Sequence, residues 1–592
     1  MAVDSYKSDE ASTNTSKVAT LLRLYRYMLK YKFKIIFVLL IMGICVAIAL
    51  INPLLIEAAI DVYIKNKDTE GLIKLGIFAS IINIIMVLLI KVRMYIMSKI
   101  SNEILLVVRQ ELYTHIQKLS FSFFDSRPTG KVLSRIIGDV NSLKEVLTNS
   151  VTTLIPDFIT VCAVVIIMLV KNYKLALAAL VSLPLMAVGI YCVQRFSHLR
   201  WRVFRKKSAN VNAFIHEDLS GIRIIQSLTA EEETAETFDH LLKEHRDSFI
   251  HAVRLNDSIG PIIDLCWGIG AASLYFVGIK ILKIGPDSVG LLVAFGTYIS
   301  MFWSPILNLS NFYNQLITNI AGAERIFEIM DTEPDIVDDK NVQNLPDVKG
   351  DIRFEHVSFS YDEDSLVLDD VSFDVKAGET IALVGPTGAG KTTIVNLISR
   401  FYDIQKGKIF VDNYNLKEVS IESLRQQMGV MTQDNFLFSG TIKENIRYGR
   451  LDATDEEIIE AAKAVNAHDF IMKLEKGYDT ELKERGSGLS IGQRQLLAFA
   501  RTMVSKPKIL ILDEATSSID TQTELLVQQG IENLLKGRTS FVIAHRLSTI
   551  QKADRIFVID NGNIQEQGNA KELLLKKGIY YNLYMAQFKN IE

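Results

Sequence analysis

Long runs of apolar residues, separated by polar connections, dominate the first half of the chain. Each run is long enough, at about 1.5 Å of rise per residue, to cross a hydrocarbon layer of about 30 Å as an α-helix. The pattern therefore predicts six transmembrane helices, and an even number of crossings leaves both ends of the chain on one side. The runs lie at residues 34–62, 72–98, 147–171, 174–197, 257–284 and 288–315.

Basic residues on the polar connections indicate which side this is. Lysine and arginine collect on the cytoplasmic side of membrane proteins. The sequence therefore places both ends in the cytoplasm and the spans in the cytoplasmic membrane. The first 20 residues are polar and lack the pattern of a cleaved signal, so the first span itself is expected to direct insertion. The basic residues are Arg23, Arg26, Lys30, Lys32 and Lys34 before the first span, and Arg195, Arg200, Arg202, Arg205, Lys206 and Lys207 after the fourth.

The second half of the chain alternates β-rich stretches with helical ones, which is typical of an α/β domain. A mostly polar stretch around Pro334 and Asp338 connects the two halves. No internal repeat is evident, so each chain carries one six-span unit. We divide the chain into a polar N-terminal segment (1–20), an all-α six-helix transmembrane domain (21–325), a linker (326–349) and an α/β domain (350–592).

The composition fits a membrane protein with a soluble domain. The 592 residues are 49% hydrophobic, the mean hydropathy is +0.20 and the net charge is only −3. This balance gives no sign of nucleic-acid binding or of an acidic tail. The cysteines lie in apolar stretches without metal-type spacing, so we expect small buried side chains rather than disulfides or zinc ligands. They are Cys45, Cys162, Cys192 and Cys266.

A glycine-rich string, GPTGAGKTT, follows the apolar run at 381–384 and fits the phosphate-loop pattern G-x-x-x-x-G-K-[ST]. Glycines let backbone N–H groups turn towards phosphate oxygens, and the following helix presents its positive end to the same charge. Lys391 is expected to neutralise phosphates and Thr392 to ligate Mg²⁺. Taken alone, the string could also be an ordinary turn. It consists of Gly385, Pro386, Thr387, Gly388, Ala389, Gly390, Lys391, Thr392 and Thr393.

A second string, ILILDE at 509–514, is a continuous apolar run that ends in two carboxylates. Buried parallel strands have this pattern, and ligands of open parallel sheets bind where such strands end. Asp513 is therefore expected to reach Mg²⁺, directly or through water, and Glu514 to polarise the attacking water. The alternative, a core strand ending in solvated acids, is weak beside a phosphate loop. The two strings together predict a P-loop NTPase domain.

With GLSIGQRQ, FSY, VMTQD and IAHR, these strings resemble one family over nearly the whole chain. The family is the ATP-binding cassette (ABC) transporters, of the exporter type with fused membrane and nucleotide-binding domains. The resemblance implies the cofactors ATP and Mg²⁺. It also implies a dimer, because the family's signature helix completes the nucleotide site of the opposite subunit. Ser490, Gly492 and Gln493 occupy the signature positions, with Ser490 and Gly492 expected at the γ-phosphate.

Four further residues match individual positions of the family pattern. The resemblance implies that Tyr361 stacks on adenine and that Gln433 senses Mg²⁺ and the membrane domain. It also implies that Asp520 closes the dimer loop and that His545 contacts the γ-phosphate. Each residue alone could serve packing or lie on the surface, so the inference rests on their order and spacing.

One residue departs from the family pattern, since Ile491 stands where the usual signature has glycine. A branched side chain there is expected to hinder the close approach of backbone to phosphate. This chain keeps Lys391, Asp513, Glu514 and His545, so the site on its own loop is complete. The combination resembles one half of a heterodimeric exporter, with a second half-transporter as partner. An ordinary homodimer that tolerates Ile491 is the alternative.

The connections after the second and fourth spans are long and helix-like. In the family such connections extend into the cytoplasm and end in coupling helices that rest on the nucleotide-binding domains. Residues 123–130, with Pro128, resemble the first tip, and residues 214–221 resemble the second. Solvated loops are the alternative for both.

Polar residues inside spans are costly and mark candidate functional positions. Asp264 is the strongest candidate, either lining the pathway of cationic amphipathic solutes with Trp267 or pairing with a basic residue for packing or gating. Glu57, Asp61 and Asp157 lie near predicted ends, where we expect solvated or interfacial positions.

The resulting hypothesis is ATP-driven export of amphipathic solutes or drugs by alternating access, performed by one half of a dimeric ABC exporter among membrane lipids. The first alternative is a homodimeric lipid or peptide exporter. An alternative of another class is a membrane-anchored ABC ATPase without transport activity, against which the spans and their alternating short and long connections argue.

Overall fold

The computed structural model describes residues 17–285, 288–339, 342–362, 365–432, 435–513, 521–544 and 547–588. The chain divides into two compact units. The helical unit comprises Met1–Gln117 and Pro128–Thr332, and the sheet unit comprises Lys118–Arg127 and Glu333–Glu592. A short segment from the first half of the chain thus belongs to the sheet unit.

The helical unit consists of long helices with short π-helical turns at Ala59–Ile64, Arg135–Asp139, Ser150–Leu154 and Val277–Ile281. The helices are α1 (Lys17–Leu29), α2 (Lys32–Ala58), α3 (Thr69–Ile116), α5 (Thr129–Ser134), α6 (Val140–Asn149), α7 (Ile155–Leu180), α8 (Ser182–Ser220), α9 (Ile222–Ser227), α10 (Glu231–Asn256), α11 (Ile259–Phe276), α12 (Val289–Ser300) and α13 (Trp303–Asp331), whereas α4 (Phe121–Asp125) lies in the sheet unit.

Five helical stretches of the described residues are long and apolar enough to cross a membrane. The predicted fourth span, 174–197, is not among them. Its apolar residues are divided between the end of α7 and the start of α8, on either side of Val181. That the chain crosses the membrane six times therefore stays a prediction. The five stretches are Lys32–Ile64, Thr69–Ile116, Thr129–Leu180, Glu231–Ile281 and Val289–Ile306.

Helix α7 contains a break between the third and fourth predicted spans. Asn172 has φ −159° and ψ 102°, outside the helical region. Its Oδ1 atom accepts hydrogen bonds from the N–H groups of Lys174 (3.1 Å) and Leu175 (3.2 Å). Asn172 thus satisfies N–H groups of the turn that follows, as an N-cap does. Sequence analysis separated the two runs at this same residue.

The core of the helical unit is apolar and contains Val164, Met168 and Phe295. The hydroxyl of Tyr298, which is buried there, donates a hydrogen bond to the carbonyl oxygen of Leu50 (2.9 Å). Many large apolar side chains on the outward faces of α2 and α3 are exposed in the isolated chain. Such faces suit a lipid environment.

The cysteine expectation is partly wrong. All are free, but only Cys45 and Cys266 are buried, while Cys162 and Cys192 are exposed. The latter pair lies on helix faces that the helical unit itself does not cover, so burial within one chain cannot be inferred from an apolar run.

The first and last helices of the helical unit are joined by a charged pair. The Arg23 guanidinium donates to both carboxylate oxygens of Asp331, at 2.7 and 2.6 Å, and lies 4.3 Å from the centre of the Phe327 ring. Helix α13 continues to Asp331, so its last turns include residues 326–331 of the segment that sequence analysis assigned to the linker. Later in that segment, Asp338 accepts a hydrogen bond from the N–H of Ile421 in the sheet unit (3.1 Å).

The sheet unit is built on a six-stranded sheet of order β12-β11-β3-β10-β9-β6, parallel except for β12. A four-stranded antiparallel sheet (β2-β1-β4-β5) packs beside it, and a short pair joins β7 to β8. The strands are β1 (Ile352–Ser360), β2 (Leu366–Val375), β3 (Thr380–Val384), β4 (Lys406–Val411), β5 (Tyr414–Asn415), β6 (Met428–Met431), β7 (Gly440–Thr441), β8 (Glu481–Leu482), β9 (Ile509–Asp513), β10 (Thr539–Ile543), β11 (Arg555–Asp560) and β12 (Asn563–Gly568).

Helices cover the central sheet. Strands β3 and β10 are buried along their whole length, which their apolar residues require. A helical subdomain between β6 and α19 packs into the same core. The predicted α/β architecture is therefore present. The helices are α14 (Lys391–Ile398), α15 (Ile421–Arg425), α16 (Ile442–Arg447), α17 (Asp455–Ala464), α18 (His468–Met472), α19 (Ile491–Val504), α20 (Thr521–Leu535), α21 (Leu547–Lys552), α22 (Ala570–Lys576) and α23 (Ile579–Phe588).

Candidate functional site

The phosphate-loop string connects β3 to α14, as predicted. Gly385 follows β3 with φ +155°, and a Cβ atom there would lie 2.0 Å from the carbonyl oxygen of Ile559. Gly390 precedes α14 with φ +107° in the left-handed region. These conformations and this close approach require glycine. The loop backbone is therefore fixed by its glycines and by its contact with β11.

The side chain of Lys391 folds back over this loop. Its ammonium donates to the carbonyl oxygens of Gly385 (2.9 Å) and Pro386 (2.7 Å). Burial lowers the pKa of Lys391, and the carboxylate of Asp513 acts in the opposite direction. The ammonium thus sits over the loop, within the electrostatic reach of the acid that ends β9.

The structure brings the two predicted strings together at one edge of the sheet. Asp513 ends β9, which is separated from β3 by β10 alone. The Thr392 side chain is exposed at the start of α14, whereas Thr393 is buried. A hydroxyl and a carboxylate are the oxygen ligands that Mg²⁺ takes when substrate phosphates supply the rest. In the part of the chain that the structure describes, no three or more His, Cys, Asp or Glu side chains are grouped so that they could hold a metal ion by themselves. A Mg²⁺ ion bound to substrate phosphates does not need such a group.

Tyr361 lies beyond β1, beside the loop. Its hydroxyl is 3.2 Å from that of Thr393, and its ring meets those of Phe359 and Tyr402 edge to face, at centroid distances of 4.9 and 5.0 Å. The side chain is 44% exposed, so a planar base can reach it. A cavity of about 720 Å³ opens here. Its walls include Tyr361, and also Ser122, which belongs to the segment Lys118–Arg127.

Helix α4 packs against the rest of the sheet unit beside this cavity. The rings of Phe121 and Phe401 lie 4.4 Å apart, and the hydroxyl of Tyr402 donates to Asp125. Ser120 donates to Asp335 (2.9 Å). Residues 123–127 of the first predicted tip therefore belong to the sheet unit, and Asp125 contacts Tyr402 there. The second predicted tip, 214–221, comprises the last turns of α8 and its C-cap Gly221. The N–H of Gly221 donates to the carbonyl oxygen of Glu217 (2.8 Å).

The signature string forms the start of α19. Ser490 is its N-cap, since its hydroxyl accepts from the N–H of Gln493 (3.2 Å) and the Gln493 side chain accepts from the N–H of Ser490 (3.0 Å). Gly492 is buried, and Ile491 is 42% exposed. The Ile491 side chain, which replaces the family's glycine, thus projects from the first turn of the helix into solvent.

Several predicted residues lie outside the described residues, namely Gln433, Glu514, Asp520 and His545. Each follows a described strand in sequence: Gln433 comes after β6, Glu514 and Asp520 after β9, and His545 after β10. These strands are parallel neighbours, so their carboxyl ends share the edge where β3 enters the phosphate loop.

The polar residues predicted in spans have varied surroundings. Asp264 and Trp267 are exposed on α11, and the Trp267 indole N–H donates to Ser300 (3.1 Å). Asp61 accepts from the N–H of Gly290 (2.6 Å), which caps α12.

Two further polar residues belong to the helical unit. Asp157, which was expected at a solvated or interfacial position, is half-buried and its Oδ2 atom is buried, and its position relative to the membrane surface stays a prediction. Sequence analysis also missed Arg93, which lies inside the second predicted run. A charge within an apolar run was the signal that could have found it.

A multi-pass helical unit joined to a phosphate-loop ATPase unit defines an ATP-driven membrane protein. Residues 34–306 match the family described as ABC transporter transmembrane region, and residues 368–517 match the family described as ABC transporter. An ABC transporter ATP-binding protein of Bacillus subtilis (strain 168), YknV, is 42% identical over 98% of this chain and 97% of its own length. The chain therefore belongs to the ABC transporter family.

Other relatives specify the type of transporter. A putative multidrug export ATP-binding/permease protein of Staphylococcus aureus (strain NCTC 8325) is 38% identical over 95% of this chain and 99% of its own. An ATP-dependent lipid A-core flippase of Syntrophus aciditrophicus (strain SB) is 40% identical over 83% and 82%. A solved bacterial Atm1-family ABC exporter with ATP bound has a TM-score of 0.77 and 28% identity, covering 94% of this chain and 98% of its own.

These similarities confirm the predicted family, fold class and exporter function. The chain is a bacterial ABC exporter half-transporter that uses ATP, a multi-pass membrane protein with its nucleotide-binding domain in the cytoplasm. ABC exporters function as dimers of half-transporters, so a second half is required. The alternative of an ATPase without transport activity is thereby set aside.

Proposed function

We propose that this half-transporter exports amphipathic solutes or drugs from the cytoplasmic side by alternating access, as one half of a heterodimer. The observation that carries the heterodimer is Ile491, exposed in the first turn of the signature helix of a chain whose own phosphate loop keeps every expected residue. The reaction is ATP hydrolysis coupled to translocation.

In this proposal the residues of the loop bind ATP and stabilise the charge that develops during phosphoryl transfer. Lys391 leaves the carbonyl oxygens of Gly385 and Pro386 for the β- and γ-phosphates. Thr392 and Asp513 hold Mg²⁺, which supplies neutralisation of phosphate oxygens when it is bound. Exchange of neutral acceptors for phosphate oxygens strengthens the hydrogen bonds of the ammonium.

The residues outside the described ranges complete the chemistry by analogy with the family. Glu514 polarises the attacking water, His545 contacts the γ-phosphate, and Gln433 senses Mg²⁺ and the membrane domain. Tyr361 stacks on adenine, which its exposure supports. Ser490, Gly492 and Gln493 contact the nucleotide on the partner's loop, and the N-terminal position of Ser490 on α19 supports this because a helix N-terminus attracts phosphate.

The side chain of Ile491 argues for a division of labour between two sites. Glycine at this position leaves room for phosphate to approach the helix N-terminus, whereas isoleucine adds a branched apolar group on the exposed side. The site that borrows this signature is then a poor catalyst. The site on this chain's own loop would borrow a standard signature from the partner, and it hydrolyses ATP.

Nucleotide binding drives the conformational cycle through differential affinity. ATP that binds two facing nucleotide-binding domains stabilises the closed dimer, and hydrolysis removes that stabilisation. Helix α4, packed against Phe401 and Tyr402, supports transmission of this change to the spans. The names of the relatives, a multidrug exporter and a lipid A-core flippase, support amphipathic substrates.

The test is the ATPase activity of the purified chain in lipid, alone and co-expressed with an adjacent half-transporter gene product. Activity only with the partner, lost in Glu514→Gln, supports the heterodimer with its competent site on this chain. Full activity of the chain alone rules the heterodimer out. ATP-driven uptake of a fluorescent cationic dye into inside-out vesicles tests export, and absence of uptake with intact ATPase contradicts the substrate class.

A further inference from the structure

A groove of about 580 Å³ lies between α8 and α10 of the helical unit. Each helix contributes residues spaced three or four apart, which places them on one face of that helix. Most of these side chains are exposed, so the helical unit itself leaves both faces uncovered. The lining includes the apolar Phe196, Leu199 and Val203 and the basic Arg200, His251 and Arg254.

The basic side chains of this groove have no partner in the helical unit. Neither arginine side chain nor that of His251 forms a hydrogen bond or ion pair with any residue that the structure describes, and no described carboxylate lines the groove. Elsewhere on the same helices basic residues are paired. The ammonium of Lys207 in α8 donates to Glu244 in α10 (2.6 Å), and Arg246 contacts Asp247 (2.8 Å). Positive charge is therefore left without a counter-charge at the groove alone of these places.

The predicted spans place the groove at the cytoplasmic surface of the membrane. The fourth predicted span ends at residue 197, and the fifth begins at residue 257. Arg200 and Arg254 each lie three residues outside these ends, which is about 4.5 Å along a helix. Phe196 lies within the fourth predicted span. The apolar side of the groove thus begins at the level of the acyl chains, and its arginines lie at the level of the lipid phosphates.

We propose that this groove binds an anionic phospholipid of the cytoplasmic leaflet. Its phosphate lies between Arg200 and Arg254, and an acyl chain lies along the apolar side chains of α8. A guanidinium group matches phosphate oxygens with paired hydrogen bonds, and basic pockets at the cytoplasmic ends of spans attract anionic headgroups.

The same chemistry discriminates against other occupants. A zwitterionic phospholipid carries an ammonium that no described carboxylate of the groove can receive. A free phosphate ion leaves the apolar side chains of α8 in contact with water. Lipid binding at this groove does not require export, so it is independent of the substrate class proposed above.

The test is lipid binding by the full transporter in detergent. The protein is titrated with phosphatidylglycerol or phosphatidylethanolamine, and the first lipid bound per copy of this chain is followed by native mass spectrometry. Phosphatidylglycerol should bind more tightly than phosphatidylethanolamine. Arg200→Gln and Arg254→Gln should each weaken phosphatidylglycerol binding about tenfold, as loss of a charged hydrogen bond does. Unchanged binding in both variants, as expected if the partner subunit covers the groove, overturns the proposal.

Arg202→Gln is the matched control, because Arg202 is an exposed arginine of α8 at nearly the same level that does not line the groove. It should bind phosphatidylglycerol like the wild type. A loss equal to that in Arg200→Gln would show a general effect of surface charge and would contradict a defined site.

Leu199→Gln distinguishes a phospholipid from phosphate alone. Leu199 is exposed, so its replacement should not disturb the packing of α8. Loss of part of the apolar contact should weaken phosphatidylglycerol binding about fivefold. Binding equal to that of the wild type would mean that the groove holds only the phosphate group, and the lipid assignment would be wrong. Basal ATPase activity of the same samples without added lipid shows separately whether the proposed function fails.

Discussion

The hydroxyl of Tyr402 donates a hydrogen bond to Asp125, joining two residues that lie far apart in the sequence. Tyr402 follows α14 in the sheet unit, and Asp125 ends α4. Burial and the neighbouring carboxylate raise the pKa of the Tyr402 phenol, so it stays protonated and donates at neutral pH. The ring of Tyr402 also meets that of Tyr361, the predicted adenine contact. One side chain therefore connects the base position to helix α4.

Removal of this hydroxyl should weaken coupling more than it weakens ATP binding. Tyr402→Phe keeps the ring contacts with Tyr361 and loses the bond to Asp125. We expect drug stimulation of ATPase to fall about fivefold or more, the range of typical coupling energies, with basal ATPase nearly unchanged. The measurement is ATPase activity in lipid with and without a transported drug.

Tyr414→Phe is the control for this change, because Tyr414 is a half-buried tyrosine of the same unit, in β5. It should retain full stimulation. Equal stimulation in Tyr402→Phe and the wild type would show that the hydrogen bond carries no coupling.

The close approach at Gly385 predicts a stability defect that differs from ordinary glycine strain. Alanine at Gly385 places a Cβ atom 2.0 Å from the Ile559 carbonyl oxygen, whereas alanine at Gly378, with φ +81°, meets open space. Both changes place alanine in a backbone conformation with positive φ. Only the first also adds a clash with the backbone, which should lower the free energy of unfolding by about 1–3 kcal/mol. Thermal unfolding of the purified transporter should therefore begin at a lower temperature in Gly385→Ala than in Gly378→Ala. Identical transitions would argue that β11 can move away.

Apolar runs and local motifs revealed most of the architecture because they depend on neighbouring residues. The run at 381–384 and the glycines after it encode a strand and its loop, and the structure has both. The break at Asn172 was visible as a polar interruption. In contrast, the pairing of Tyr402 with Asp125 depends on how distant segments pack, which no local pattern records.

Some residues of the candidate site could be predicted from the sequence in the same way, and others could not. Lys391 and Asp513 were found from strings that chemistry constrains, and their proximity followed from the edge of a parallel sheet. The buried Oδ2 atom of Asp157 was not foreseen, because closeness to a predicted span end does not reveal which helices cover a side chain. Arg93 was visible as a charge in an apolar run, but its neighbours were not.

Loss of the Lys391 ammonium should abolish tight ATP binding. Lys391→Ala removes a cation that its hydrogen bonds to the carbonyl oxygens of Gly385 and Pro386 hold over the loop. Charged hydrogen bonds of about 1.5–3 kcal/mol translate into about 10- to 100-fold weaker ATP binding. Binding of a fluorescent ATP analogue to the purified transporter measures this. Lys408→Ala, which changes an exposed lysine of β4, should bind normally. Normal binding by Lys391→Ala would refute the assigned role.

Restoring glycine in the signature should reveal whether Ile491 limits hydrolysis. Ile491→Gly removes the exposed side chain from the first turn of α19 while the Ser490 cap remains. If Ile491 keeps phosphate away from the helix N-terminus, the ATPase activity of the chain alone should rise about tenfold, which corresponds to about 1.4 kcal/mol of transition-state stabilisation. Ile491→Ala separates bulk from backbone freedom, because it removes the branched group without adding flexibility, and it should recover only part of the gain. Activity of Ile491→Gly that equals the wild type would mean that isoleucine is tolerated, and the division of labour between two unequal sites would lose its basis.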